Sequence, residues 1–347
     1  MKHLFIVLCI ALFTVPAASA HAGTEIEFST GAGYLTGTNT YEIGNVPSEL
    51  DPWGRYPYFP ISRLDFQLGV YYANLDTKIT IDKLRITGSV GMNLNKKAGH
   101  MRDYDWGVPF WDDDGEEGPG WYVYVWDTGG YLLDIQSASR SDVDAIIWNA
   151  DIAYQIFSHH HESRVGKGDF IGYLGIGYEH RSFQYECSLI RQVSPSGIPG
   201  VEYAGTGNVG LTYDVDYSLP YAELTLCDTT GRLHIEMAFA YSPFVLAKDR
   251  DAHLERIPGP IYAEGRCTGQ SMKYSAGIRY DITSHLSVAL IIDHLYLRTW
   301  GEQDNTIYAG TEDGMFWDNE IWTTEERIIS RESYFNLNIS YRFGLPL

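Results

Sequence analysis

A strict two-residue alternation near the end of the chain limits its fold more than any other feature. From Phe335 to Phe343 every second residue is apolar, and the residues between them are polar. Successive side chains of a β-strand point to opposite faces, so this segment would have one apolar and one polar face. An apolar outer surface around a polar interior is typical of a transmembrane β-barrel. The pattern therefore predicts a barrel strand.

The same alternation recurs at Leu64–Tyr72, Ile146–Ile156 and Met272–Tyr280, and a helical period fits none of these segments. Ten strands are predicted, at 25–41, 62–81, 85–95, 142–158, 169–187, 209–226, 232–248, 269–282, 286–300 and 328–343. Short connections alternate with long ones at 42–61, 96–141, 188–208, 249–268 and 301–327. A soluble β-sandwich has strands of about five to six residues, which is shorter than these. The predicted fold class is all-β, a ten-stranded antiparallel transmembrane β-barrel with long external loops.

The first residues have the pattern of an export signal. Lys2 precedes an apolar run from Leu4 to Val15, and the small residues Ala18-Ser19-Ala20 follow it. A basic start, an apolar run of this length and a small-x-small ending are typical of a secretory signal peptide. The run is shorter than the roughly 20 residues that a membrane-spanning helix needs. We therefore predict a signal peptide at 1–20 and a single barrel domain at 21–347.

Composition restricts the possible partners. The chain has 26 Tyr, 9 Trp and 35 Gly, and the aromatic excess fits the girdles of a membrane barrel. Its formal net charge of −20 argues against binding to nucleic acid and is compatible with cationic partners. Outside the signal, the cysteines are Cys187, Cys227 and Cys267, an odd number without zinc-ligand spacing. A disulfide between Cys187 and Cys267 is conceivable in an oxidising compartment.

Two acidic segments carry the residues most suited to chemistry. Asp103 and Asp105 follow the third predicted strand, and Asp251 and His253 follow the seventh. Residues two apart project to one face of an extended backbone, and these two strands would lie on nearly opposite walls. A His oriented by a carboxylate can act as a general base toward water, and no Ser or Cys is placed as a nucleophile. The alternative is that these are solvated loop residues with a structural Asp–His hydrogen bond.

These segments carry a resemblance to a known family. The run from Gly99 to Trp106 resembles the Gly-x-Met-x-Asp-x-Asp-Trp segment of the omptins, a family of outer-membrane endopeptidases. The run Tyr241–Val245, leading to Asp249-Arg250-Asp251-Ala252-His253, is similar to the second omptin segment. Weaker likeness covers Leu64-Asp65-Phe66, Gly177-Tyr178 and Pro220-Tyr221, so the resemblance extends over most of the chain.

The resemblance implies a role for each matching residue. Asp103 and Asp105 would form one catalytic pair, and Asp251 and His253 the other. A water between Asp103 and His253 would attack the scissile carbonyl, with His253 as base, Asp251 orienting it and Asp105 supporting Asp103. The family needs no metal and no organic cofactor. Asp249 matches a carboxylate that receives the basic side chain before the scissile bond.

The chain also departs from the family pattern. Omptins pair the Asp249-type carboxylate with a Glu on the first strand, and here Glu42 is nearby but out of phase by about two positions. Omptins bind lipopolysaccharide phosphates through a basic cluster on the outer wall. Asp216 stands where one of those Arg residues is expected, and Arg181 is shifted by one residue, which changes its face. The preference for basic residues and the dependence on lipopolysaccharide are therefore less firmly implied than peptide hydrolysis.

We predict an outer-membrane endopeptidase whose active site faces the exterior of the cell. It would act on cationic peptides or proteins and would be a monomer. The principal alternative is a non-catalytic barrel of omptin-like build that serves as a small pore, an adhesin or a structural protein. A third class, a lipid-modifying enzyme, would need Ser and His near the membrane interface, and the sequence places no such pair convincingly.

Overall fold

The computed structural model describes residues 24–44, 59–106, 133–163, 166–197, 202–254, 260–307, 311–312, 315–316 and 320–344. The predicted signal peptide at 1–20 lies outside these ranges. In the part of the chain that is described, no helix is long and apolar enough to cross a membrane.

The described residues are almost entirely β-strand. The long strands are β1 Thr24–Gly44, β2 Ser62–Ile81, β3 Leu84–Asn93, β4 Lys97–Trp106, β5 Leu133–Ser163, β6 Gly166–Val193, β8 Val209–Thr230, β9 Leu233–His253, β10 Ile261–Asp281, β11 Leu286–Ile307 and β14 Glu320–Gly344. Three two-residue strands complete the set: β7 Tyr203–Ala204, β12 Thr311–Glu312 and β13 Met315–Phe316.

The long strands form one closed antiparallel sheet. Each long strand pairs with the one before and the one after it, except that β3 and β4 do not pair with each other, and β14 pairs with both β11 and β1, which closes the ring. β3 and β4 occupy one position in succession, because both lie between β2 and β5. Over the described strands this gives ten positions around the ring, so the predicted ten-stranded antiparallel β-barrel is confirmed. Closure leaves no unpaired sheet edge along the wall.

The two ends of the barrel differ. At one end, which we call the turn end, neighbouring strands are joined by tight turns, and positive φ angles at Asp82 (52°) and Gly231 (62°) allow two of them. β1 begins and β14 ends at this end. At the other end, the open end, the strands run much further than predicted, to 31 residues in β5 and 28 in β6. Much of the predicted loops 96–141, 249–268 and 301–327 is therefore strand.

The outer wall near the turn end is apolar. Phe335, Leu337 and Ile339 are exposed, whereas Asn336 and Asn338 between them are buried in the interior. This confirms the orientation predicted from the alternation. Exposed apolar residues at the same level of other strands include Ile152, Tyr154, Leu174, Ile176, Met237, Tyr274, Ile278, Leu290 and Ile292. We call this ring of residues the apolar belt, and it marks the membrane-spanning part of each strand.

The alternation in β2 has the opposite orientation to the one predicted. Leu64, Phe66 and Leu68 are buried at 0–1% exposure and point into the barrel, while Gln67 faces outward. The reason is their position toward the open end, where the outer wall meets water and the narrow interior is filled by side chains. Six fully buried rings, the aromatic layer, fill this level: Tyr41, Phe66, Phe183, Tyr185, Tyr213 and Tyr217.

The aromatic layer connects facing walls of the barrel. Phe66 on β2 stacks on Tyr213 of β8, with 4.7 Å between the ring centroids, and lies 4.9 Å from Tyr185 of β6. On the turn-end side of the layer lies a buried group of four charges, the ionic layer, made of Glu179, Arg181, Lys273 and Glu332. Beyond it, toward the turn end, a polar cavity of about 600 Å³ occupies the interior. The aromatic layer therefore forms a floor between this cavity and the open end.

Candidate functional site

The first acidic pair lies inside a strand and not in a loop. Asp103 and Asp105 belong to β4, and Asp103 pairs with Leu64 of β2 and Ser137 of β5. Both carboxylates are on the inner face, at 9% and 8% exposure, because β4 alternates: Arg102 before the pair is exposed and Tyr104 between the two acids is half-buried. The predicted projection of the pair to one face is confirmed, and the prediction that it lies beyond the strand is wrong.

The second acidic pair ends β9. Asp249 and Asp251 are buried at 4% and 3% exposure on the inner face, while Arg250 between them faces outward and pairs with Glu264 at 3.2 Å. His253 is the last residue of the strand, and its Nε2 lies 2.9 Å from Oδ2 of Asp251. The imidazole side chain retains 19% exposure, so it can meet both water and a ligand.

Strand register brings the two pairs to the same level of the barrel. Leu64 pairs with Asp103 on one side and with Tyr41 on the other. On the far wall, Tyr213 pairs with Asp251. The rings of Tyr41 and Tyr213 are 5.2 Å apart, so they bridge the interior between these two rows. The acidic pairs therefore both face the interior just above the aromatic layer, at the open end and several residues beyond the apolar belt.

Asp249 has a close carboxylate neighbour that the sequence did not indicate. Glu326 of β14 is fully buried, and its side chain approaches that of Asp249 across Gly265 of β10. A Cβ on Gly265 would lie 2.2 Å from Asp249 Oδ1 and also 2.2 Å from Glu326 Oε2, so a side chain at this position would require both carboxylates to move. Burial first, and then the repulsion between these acids and Asp251, raises the pKa of Asp249 and of Glu326.

Glu326 could have been found by extending one pattern. The inward residues of β14 continue in phase from Asn338 through Glu332 and Ser330 back to Glu326. The predicted strand began at 328, two residues too late, so this phase stopped short of the site. Hydropathy did not extend the predicted strand, because an acidic residue is equally hydrophilic whether it faces the interior of a barrel or lies in an external loop.

Glu42 lies on the outer wall and not beside Asp249. Its neighbour Tyr41 points into the barrel, so Glu42 points to the outer wall, where its Oε2 accepts a hydrogen bond from Nε of Arg327. Arg327 in turn lies over the ring of Trp300, with 4.6 Å to its centroid. The acid beside Asp249 is Glu326, and the substrate-binding role expected for Glu42 stays a prediction.

Replacing Glu42 by Gln should leave cleavage after basic residues within about twofold of the unmodified chain, since the change removes a charge from the outer wall and not from the site. The measurement is the ratio of kcat/KM for peptides with an Arg or a neutral residue before the scissile bond. A fall of more than about tenfold in this ratio, a difference of roughly 1.4 kcal/mol, would return Glu42 to the substrate-binding site.

Three other predicted features are placed as follows. Arg181 points into the barrel and belongs to the ionic layer, whereas Asp216 is exposed on the outer wall, so the one-residue shift does change the face.

Cys187 and Cys267 are free thiols, and the conceivable disulfide between them is not formed. The Sγ atom of Cys187 lies 3.7 Å from Ser141 Oγ, and that of Cys267 lies 3.2 Å from Glu326 Oε2. In the described residues, no group of His, Cys, Asp and Glu is arranged to hold a metal ion.

Part of the chain matches a family model, and its fold is similar to that of a known outer-membrane barrel. The model of the Omptin family matches residues 173–320. No curated protein sequence matches the chain. The crystal structure of the outer membrane protease OmpT from Escherichia coli is similar over 92% of this chain and 97% of its own, with a TM-score of 0.63 and 15% sequence identity. The outer membrane protein OprG from Pseudomonas aeruginosa gives a TM-score of 0.37 at 8% identity over 94% and 99%. Part of the chain therefore resembles the Omptin family, and the fold of the chain is that of an outer-membrane β-barrel.

Proposed function

We propose that the chain is an outer-membrane endopeptidase that hydrolyses peptide bonds with an activated water molecule. One observation carries the proposal: two pairs of side chains, Asp103 with Asp105 and Asp251 with His253, face the interior at one level of the open end, and the three acids are buried. The match of residues 173–320 to the Omptin family model supports the same reaction class. The location of both pairs on strands also supports the proposal, because strands hold catalytic groups more accurately than loops do.

In the proposed mechanism His253 is the general base. Its Nε2 is hydrogen-bonded to Asp251, which fixes the ring and stabilises the imidazolium formed when the water gives up a proton. The ring's Nδ1 is then the nitrogen that accepts this proton. Asp103 on the opposite wall holds the water, and Asp105 one inward position along β4 raises the negative charge around it. Attack on the carbonyl gives a tetrahedral intermediate, and the imidazolium returns its proton to the departing amine.

The substrate is proposed to be a cationic peptide or protein. The inner face of the open end carries buried acids on β4, β9 and β14, and the chain as a whole has a formal net charge of −20. Acidic clefts with low-dielectric walls concentrate cationic ligands and increase their rate of association. We place the turn end in the periplasm and the open end outside the cell, since short turns face the periplasm in outer-membrane barrels.

The experiment is a cleavage assay with the refolded full chain. A dye-quenched peptide centred on Arg-Arg should be cut, and mass spectrometry should place the cut after Arg. Chelators and serine-protease reagents should not reduce the rate, because the proposed nucleophile is water activated by His and Asp. Absence of cleavage across peptides centred on Arg-Arg, Lys-Arg and neutral pairs would reject the proposal.

The pore alternative makes a different prediction. The aromatic layer crosses the interior from Phe66 on β2 to Tyr185 on β6 and Tyr213 on β8, and these three rings are fully buried. In planar bilayers we therefore expect no steady conductance from the unmodified barrel. Replacing Phe66 by Ala should remove the central ring and cost about 3–5 kcal/mol of stability, as large cavities in packed interiors do. Steady ion flow through the unmodified protein would favour the pore.

A further inference from the structure

A group of arginine and aromatic side chains lies on the outer wall where β11 and β14 pair. We call it the arginine wall, and its members are Tyr296, Arg298 and Trp300 of β11 with Arg327 and Arg331 of β14. Strand register places them side by side, because Tyr296 pairs with Arg331 and Trp300 pairs with Arg327. The residues that alternate with them on both strands are fully buried in the interior, so all five members of the arginine wall project outward.

Each guanidinium of the arginine wall lies over an aromatic ring. The guanidinium carbons of Arg298 and Arg327 are 4.8 and 4.6 Å from the ring centroid of Trp300. That of Arg331 is 5.7 Å from the ring centroid of Tyr296. A guanidinium over an aromatic ring is attracted to the negative face of the ring, and this contact does not consume its N–H donors, which lie in the guanidinium plane. The two rings therefore orient the three cations without satisfying their hydrogen bonds.

Two of these three cations have no acid beside them. Arg327 donates from Nε to Oε2 of Glu42, so its charge is already paired. Among the residues that the structure describes, no carboxylate lies within ion-pair distance of Arg298 or Arg331. Nε of Arg298 is also shielded from solvent and has no hydrogen-bond acceptor. Because a shielded donor without an acceptor is costly, an anion that supplied an acceptor would be stabilised at this position.

The arginine wall lies directly beyond the apolar belt, on the side of the open end. Phe335 of β14 and Ile292 of β11 are exposed members of the belt. Arg331 is four residues beyond Phe335, and Arg298 is six residues beyond Ile292. This is about 13–20 Å along the strands, and the height is smaller because barrel strands are tilted and long arginine side chains can bend back toward the apolar boundary. With the open end outside the cell, as proposed above, the arginine wall faces the headgroup layer of the outer leaflet.

Phosphate is the anion that this arrangement fits. A guanidinium binds phosphate oxygens through two parallel N–H donors, and it does so more specifically than an ammonium group. A lipid leaflet holds its phosphates at a fixed height and a high local concentration beside the belt. Trp300 and Tyr296 belong to the residue types that are enriched where a membrane barrel meets the headgroups. The ligand is therefore a lipid phosphate and not a peptide carboxylate, which has no anchor at this height.

We propose that the arginine wall binds the phosphate groups of an outer-leaflet lipid, with Arg298 and Arg331 as the binding residues. Trp300 and Tyr296 orient the two guanidiniums toward the lipid. The acyl chains of the bound lipid lie along the apolar belt directly below. The site is on the outer wall and not in the interior, so it does not depend on the proposed peptidase function.

This location differs from the one that the family resemblance implied. The positions of that basic cluster fall on β6 and β8, where Arg181 points inward and Asp216 is exposed on the outer wall. β6 is five positions around the ring from β14, so the two walls face opposite directions in the membrane. A carboxylate on the β8 side repels phosphate, whereas the unpaired arginines attract it. A phosphorylated lipid should therefore meet the barrel on the β11–β14 side.

The test is the binding of a phosphorylated lipid to the refolded chain in maltoside micelles, which carry neither charge nor phosphate. The probe is a diphosphorylated glucosamine lipid, and the comparison is the same lipid with both phosphates removed. Native mass spectrometry measures the fraction of barrels that retain each lipid over a range of concentrations. We expect the phosphorylated lipid to bind at least about tenfold more tightly. Equal affinity for the two lipids overturns the inference.

The double variant Arg298→Gln with Arg331→Gln should weaken binding of the phosphorylated lipid by at least about tenfold, since each arginine near an anionic lipid surface contributes about a factor of five. The matched control is Lys248→Gln with Arg250→Gln, which removes the same charge from the outer wall of β9. These two cations already face acids, because Lys248 pairs in register with Asp216 and Arg250 lies 3.2 Å from Glu264. The control should bind the phosphorylated lipid within about twofold of the unmodified chain.

Folding of both double variants is checked by the shift in gel mobility between unheated and heated samples. If the folded Arg298→Gln/Arg331→Gln variant binds the phosphorylated lipid as tightly as the unmodified chain, the arginine wall is not the site. The inference also fails if the control loses as much affinity, because the attraction would then come from the general charge of the wall. Neither result depends on whether the chain cleaves peptides, so failure of this inference is distinct from failure of the peptidase function.

A competition experiment separates a lipid phosphate from free phosphate. Inorganic phosphate is added in large excess to the complex with the phosphorylated lipid, and sodium chloride at the same ionic strength is the reference. We expect both salts to weaken binding equally, since the bound lipid is also held by its acyl chains against the apolar belt. Displacement by phosphate but not by chloride would show that the arginine wall recognises the free anion, and it would overturn the assignment to a lipid.

Discussion

Replacing His253 by Ala should lower kcat for peptide cleavage by about a thousandfold, within the range that general acid–base catalysis supplies. In the proposed mechanism the imidazole takes the proton from water, and its 2.9 Å contact with Asp251 orients the ring for that step. KM should change by less than about threefold, since the interaction is made mainly in the transition state. The measurement is initial rates on the arginine-centred peptide over a range of concentrations.

The control for this variant is His294→Ala. His294 is exposed on the outer face of β11 and its Nδ1 lies 3.0 Å from Ser333 Oγ, away from the interior. Its loss should leave kcat unchanged. Retention of more than about a tenth of the activity in His253→Ala would mean that another group accepts the proton, since a positioned base contributes at least a hundredfold.

The alternation in the sequence was informative where one face of a strand meets lipid. From Phe335 to Phe343 the apolar set must be on the outside, because the interior of the barrel there is polar. From Leu64 to Tyr72 the apolar set is on the inside. This segment lies nearer the open end, where its apolar residues pack into the aromatic layer. A period of two shows that the faces differ, but it does not show which face is inside.

The strand ends were underestimated for a related reason. Around Asp103 and Asp251 the inward residues are acids, so the alternation there is between two kinds of polar residue and has no hydropathy signal. Such segments have the composition of loops even though their backbones continue the sheet. The shared face of each candidate pair was still predictable, because residues two apart share a face in any extended segment.

The partner of Asp249 depends on how the ring closes. Glu326 and Asp249 are far apart in sequence and lie on strands separated by β10 and β11, so their meeting requires the register of three successive strand pairs. Glu42 was the candidate because it lies on the first strand, as the family pattern implies. A single position decides which face a strand residue occupies, and the family likeness was too distant to fix that position.

Replacing Arg181 by Met should destabilise the folded barrel by about 3–5 kcal/mol, the usual cost of breaking a buried ion pair by removing one partner. Arg181 is buried and donates to both Glu179 and Glu332, while Lys273 Nζ lies 2.7 Å from Glu179. These two acids and two bases balance in charge. Without the guanidinium, Glu332 keeps a hydrogen bond from Ser330 but loses its cation. The measurement is the free energy of unfolding in urea of the barrel refolded into lipid vesicles.

The double variant Arg181→Met with Glu332→Gln distinguishes unpaired charge from lost packing. Glu179 remains paired with Lys273 in this variant, and the layer is again neutral. If the cost of the single variant comes from the uncompensated carboxylate, the double variant should recover at least about half of the lost stability, because replacing a whole buried pair is far less costly than breaking it. If the double variant is as unstable as the sum of the two single variants, the two residues are independent. In that case Arg181 stabilises the barrel by filling space beneath the aromatic layer, and the balance of charge contributes nothing.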